Sequence, residues 1–132
     1  MVVKCLSNSG DAFVKATLGK RGGTQSMVLP LKVNGIYTVY GQILSEGIME
    51  YLILGEENYP SWYPVELFEI IDDRIYFDWM FNYRGRDGIS AVWGYEELVR
   101  DEEYIYNLED REKMAIQIFL DRKKEIDEAN EW

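Results

Sequence analysis

The stretch Asn58-Tyr59-Pro60-Ser61-Trp62-Tyr63-Pro64-Val65-Glu66-Leu67-Phe68-Glu69-Ile70-Ile71 constrains the fold more than any other, because it cannot be helical. Each proline fixes φ, removes an amide donor and pushes its predecessor towards extended backbone. Four aromatics share these fourteen residues with the two prolines, and the stretch ends in an apolar pair. A strand, a tight turn and a second strand satisfy all of this. The stretch reads as the closing strand and turn of a small β-barrel, with Tyr63, Leu67 and Phe68 structural and Phe68 inside.

The chain before it is strand-like. Val2 to Leu6 reads as a first strand and Ser7-Asn8-Ser9-Gly10-Asp11 as turn chemistry. Ala12 to Leu18 reads as a short second strand, and Gly19 to Thr24 as a basic hairpin tip. That loop lacks the Gly-x4-Gly-Lys-Ser/Thr spacing of a phosphate-binding loop. In Leu31 to Tyr40, Asn34-Gly35 is a turn signal, and Tyr37 and Val39 share one face of the strand that follows. Ser45-Glu46-Gly47 is a further turn. Glu50 to Leu54 is apolar on both faces, as a central strand covered on two sides would be.

The pattern Leu31-x-Val33-Asn34-Gly35-x-Tyr37-x-Val39, an apolar strand, then Tyr63-Pro64-x-x-Leu67-Phe68-Glu69 resembles SH3-like small barrels of bacterial and phage proteins. The resemblance covers about residues 28–72, a third of the chain. It implies a barrel in which a Pro-led single turn returns the chain to a last strand. The acidic loop and paired tryptophans of a peptide-binding SH3 groove are not clearly placed here.

From Asp72 the character changes. Thirteen of the nineteen aromatics fall between Tyr59 and Tyr106. Arg74 to Tyr83 and Ile89 to Tyr95 read as strands around a turn at Arg84-Gly85-Arg86-Asp87-Gly88. Trp79, Phe81 and Trp93 are expected in the core. Tyr59, Trp62 and Tyr83 stand next to turns and are either structural or interface residues. Tyr95 to Arg100 suggests one helical turn. Asn107 suits the N-cap of a helix over 108–130, with an apolar stripe of Ala115, Ile118, Phe119 and Ile126 beside Met114. The expected fold is therefore α+β, mainly β, in one domain: an SH3-like small barrel (1–72), an aromatic-rich extension (73–107) and a long C-terminal helix (108–130).

Charge and chemistry narrow the function. The net charge is −10, and it is uneven: residues 1–40 carry five Lys or Arg against the single acid Asp11, whereas residues 96–132 carry thirteen acids against six bases. This argues against nucleic acid and anionic membrane as partners. No apolar run approaches the roughly 20 residues that span a bilayer, and one cysteine, Cys5, points to a reducing cytoplasm. With no histidine, Ser–His and Cys–His nucleophile pairs are impossible. Cys5 in a strand reads as a small core residue. No cofactor is expected.

The sequence thus predicts a non-catalytic protein-interaction module. Its acidic surface would attract a basic partner, as an immunity-type inhibitor attracts a toxin, with Tyr59, Trp62, Tyr83, Glu102 and Glu103 in contact. One alternative is an SH3-like adaptor of phage origin with a Tyr59, Trp62, Tyr63 groove. Another is a metal-dependent hydrolase using carboxylates such as Asp72, Asp73 and Asp78, or Glu56 and Glu57.

Overall fold

The computed structural model describes residues 1–86 and 88–130, so Asp87 of the expected turn lies outside the described residues. The elements run β1 (Val2–Cys5), α1 (Gly10–Ala16), β2 (Ile36–Thr38), β3 (Gly41–Ser45), β4 (Ile48–Leu54), β5 (Pro60–Pro64) and a single 3-10 turn (Val65–Leu67). After that turn come β6 (Phe68–Asp72), β7 (Met80–Arg86), β8 (Ile89–Gly94), α2 (Glu96–Arg100), α3 (Tyr104–Glu109) and α4 (Lys113–Ala129). The fold is α+β, with two antiparallel sheets and a C-terminal helix.

Among the described residues no closed barrel is found. The strands divide into a three-stranded sheet, β2-β1-β6, and a five-stranded sheet, β5-β4-β3-β8-β7. The turn after Pro64 sends β6 to pair with β1, as Cys5 opposite Phe68 shows. The edge of β3 that closure would need is taken by β8, with Gln42 opposite Trp93. The aromatic stretch therefore extends the larger sheet.

Two further expectations give way. Ala12 to Leu18 is not a strand, because Ser9 caps a helix here by accepting from the Ala12 amide at 3.1 Å, with Asp11 at the positive end. The following loop is accordingly no hairpin tip. The helix over 108–130 is two helices. Arg111 takes a left-handed backbone (φ 58°), and Glu112 caps α4 by accepting from the Met114 and Ala115 amides. Asn107 lies inside α3 instead of capping a helix.

Strand β4 has the two-sided burial its sequence suggests, and β3 joins it through the two-residue turn Glu46-Gly47, both residues at positive φ. Alternation then divides the core in two. Ile43, Leu52 and Val92 face the helices and pack with Leu98, Ile105, Leu108 and Phe119. Tyr51, Ile53 and Tyr63 face the smaller sheet and pack with Val3, Val39 and Phe68, the last 8% exposed. Cys5 is buried in this second core, as a small apolar residue would be.

Two devices seat the helices. Gly41 and Gly94 are cross-strand partners, and a Cβ on either would stand 2.6 or 2.8 Å from Leu98 Cδ1. The pair is a notch for that leucine. Arg122 of α4 gives Glu97 of α2 two bonds, at 2.8 and 3.0 Å, and Glu125 a third. The Tyr104 hydroxyl donates to the Ala115 carbonyl at 3.1 Å, so at the 2.6 Å contact with Tyr95 the Tyr95 hydroxyl is the donor. The last turns of α4 are docked, because Ile126 is buried and Asp127 accepts from Tyr40 at 2.7 Å.

Phe119 fills the centre of the helical layer, whereas Met114 on the same helix is 71% exposed. Phe119→Ala should lower stability by about 3–5 kcal/mol, and Met114→Ala by no more than about 0.5 kcal/mol. Chemical denaturation of the two variants checks this; equal losses would mean that α4 is not docked through Phe119.

Candidate functional site

The residues singled out from sequence do not form one patch. Tyr59 and Trp62 lie at the β5 edge of the five-stranded sheet, while Tyr83 lies on β7 at the opposite edge. Tyr59 is covered on one face by the Arg111 guanidinium, 4.3 Å from its ring centroid. Trp62 packs against the helix-side core, and its Nε1 is buried with no hydrogen-bond partner among the described residues. Tyr63, next to it, points to the other face and is buried; burial pushes its phenol up to about 12. Tyr59, Trp62 and Tyr63 therefore share no groove.

The opposite edge is different. On β7, Phe81 and Tyr83 project from the same face, 55% and 65% exposed, and Phe81 rests on Trp93 of β8 with ring centroids 5.0 Å apart. This is the face that the smaller sheet covers elsewhere. Its core, however, contains no residue of β7 or β8. Phe77, in the loop before β7, is still more open. On the other face of β7, Arg84 donates to the carbonyls of Leu98 and Val99, fixing the strand to α2. A groove of about 430 Å³ follows the strand, between Met80, Phe81 and Asn82 on one side and Val99, Arg100 and Glu102 on the other.

Glu102 and Glu103 are exposed in the link from α2 to α3, together with Asp101, whose carboxylate accepts from the Glu103 amide at 3.0 Å. Arg100, the nearest cation of the groove, is held by Glu96 at 3.2 Å. Of the residues expected at the site, the fold thus gathers Tyr83, Glu102 and Glu103 at one end of the molecule. Phe81 belongs with them and not in the core. The alternation Phe81, Asn82, Tyr83 was a signal for this, since one face of a strand with aromatics at every second position must either be covered or be a surface.

A second constellation lies under the sheet's helical face. Glu50 of β4 is 5% exposed and accepts from Arg21 Nε at 3.3 Å. The same guanidinium reaches Glu46 at 2.9 Å and the Ser45 carbonyl at 3.0 Å. Small cavities of about 280 and 240 Å³ share Arg21, Glu50, Trp62 and Glu109 as walls. Burial pushes the Glu50 carboxyl up, and Arg21 draws it partly back. Desolvation, then the charge of Glu50, pushes Glu109 up as well. The cluster ties the loop after α1 to the β3–β4 hairpin.

Three of the five carboxylates considered for metal chemistry have partners within the fold. Asp72 is held by Arg74, whose hydrogen bonds lower its carboxyl well below the usual range. Glu56 accepts from the Tyr37 hydroxyl at 2.9 Å, and Glu57 pairs with Arg111 at 3.8 Å. Among the described residues no three His, Cys, Asp or Glu side chains gather to hold a metal ion, and no helix is long and apolar enough to cross a membrane. No protein-family model, curated protein or solved structure matches the chain.

The buried acid sets a pH dependence. Because the folded chain binds the Glu50 proton more tightly than the unfolded chain does, its contribution to stability is complete below the ordinary value of 4.5 and is lost as pH rises through the raised folded value. Glu50→Gln removes that loss. The melting temperature of the variant minus that of the wild type should grow as pH climbs from about 4.5 towards neutrality. A difference that shrinks over this interval would contradict the raised carboxyl.

Proposed function

We propose that this chain is a non-catalytic protein-binding module that docks a basic partner on the β7 end of its larger sheet. The observation that carries the reading is the exposure of Phe81 and Tyr83, two positions apart on an edge strand, with Glu102 across the groove from Phe81 and the exposed acids Asp101 and Glu103 flanking it in the chain. The aromatics supply apolar area that burial in an interface would desolvate. The carboxylates supply long-range attraction.

An acidic docking surface of this kind suits an inhibitor that captures a basic enzyme or toxin, where a fast association rate is the useful property. The remaining charge supports the same direction of attraction. The chain carries 24 acids against 14 bases, and many of those bases are held in ion pairs, including Arg21, Arg74, Arg122 and Lys123.

The partner is retrieved by affinity capture from the native cell and its kinetics are then measured. Association should slow steeply as added salt brings the screening length to about 8 Å and below. Charge reversal at Glu102 and Glu103 should act mainly on the association rate, and the double change Phe81→Ala, Tyr83→Ala mainly on dissociation. An association rate indifferent to salt removes the electrostatic half of the reading. Unchanged binding by the double variant removes the aromatic half.

A further inference from the structure

The two sheets have four edge strands, and natural sheets blunt such edges with shortness, prolines or bulges. Strand β2 has only three residues. Strand β5 begins and ends in proline, at Pro60 and Pro64. Strand β6 is bulged against β1, where the register shifts between Val2 and Val3. Strand β7 is longer, with seven residues and no proline; its register against β8 shifts between Tyr83 and Arg86, but from Met80 to Tyr83 it is unbroken. Among the described residues its backbone bonds to β8 alone, so its outer side is an unused row of donors and acceptors. The groove alongside Met80, Phe81 and Asn82 follows that row.

We infer that β7 takes up an extended, basic segment of the partner as a sixth antiparallel or parallel strand of the larger sheet. The inference rests on the docking surface proposed above and specifies how it is read. Main-chain hydrogen bonds along Met80–Tyr83 supply affinity that does not depend on side chains. Selection comes from what flanks the strand. Phe81 and Tyr83 on one face take apolar side chains at alternate positions, and the acids of the α2–α3 link take Lys or Arg. Charge complementarity decides the occupant: a second copy of this chain would bring its own net charge of −10 to the same edge, whatever Arg84 and Arg86 contribute locally, and a basic segment would not.

The probe is a blocked peptide of alternating lysine and valine, about as long as β7, added to the full chain. Hydrogen exchange read by NMR should show new protection at outward-facing amides of Met80–Tyr83. N-methylation of every second residue along one edge of the peptide should weaken binding more than about tenfold, because several inter-chain bonds are lost together. N-methylation along the other edge should leave binding nearly unchanged. A glutamate–valine peptide should not bind.

Equal binding by the two methylated peptides, protection at another edge, or no binding at all would overturn strand addition. So would concentration-dependent self-association that protects β7, since the occupant would then be a second copy. The docking surface itself is tested separately: if the partner's binding needs Phe81 and Tyr83 while both methylated peptides bind alike, the surface stands and only the strand pairing fails. Indifference of the partner to the Phe81→Ala, Tyr83→Ala change means that the surface is wrong.

Discussion

The rest of the structure depends on strand β4, which has side chains to bury on both of its faces. Tyr51 and Ile53 point one way, Leu52 and Glu50 the other, and all four are buried. A sheet built around such a strand requires two covers. The helices provide one, seated by Leu98 in the glycine notch and by Arg122 across Glu97. The β2-β1-β6 sheet provides the other. The two covers are unequal. Residues of β7 and β8 enter the helix-side core through Val92 and Met80, but none enters the core shared with the smaller sheet. Exposed Phe81 and Tyr83 follow from that mismatch.

Much of this was legible in the sequence where the signal was local. Pro60 and Pro64 marked β5 and the single turn after it; Glu46-Gly47 marked a hairpin; the apolar run at 50–54 marked a strand covered twice. Local signals that depend on one side chain were harder. Ser9 turns Ala12 to Ala16 into a helix through one hydrogen bond, and the apolar content of that segment fits a strand equally well. The break at Arg111 needs a left-handed residue that no glycine announced.

Long-range pairing was not legible. Whether β3 completes a barrel or accepts β8 is decided by competition between two edges, and strand patterns are the same in either case. The site suffered from the same blindness. Tyr59 and Trp62 share their stretch with Pro60 and Pro64 and read equally well as structural or interface residues; Tyr59 stays exposed with one face under Arg111, and Trp62 packs beneath the helices. Tyr83, Glu102 and Glu103 are exposed, and what joins them to Phe81 is the placement of α2 behind β7.

The acidity of the chain and the open edge of β7 are physically connected. An unblunted strand with exposed aromatics is a template for self-pairing, which natural proteins otherwise suppress by shortening, kinking or covering it. Here β2 is short, β5 is bounded by prolines and β6 is bulged, whereas β7 shifts register only beyond Tyr83 and leaves Met80–Tyr83 regular. On the proposed reading, charge is what would oppose self-pairing: each copy carries a net −10, with Glu102 in the groove beside that edge. Repulsion between like copies costs nothing when the incoming strand is basic, so one feature would both keep the edge vacant among copies and favour a partner of opposite sign. Charge would then act as a selector for what the backbone otherwise accepts without discrimination.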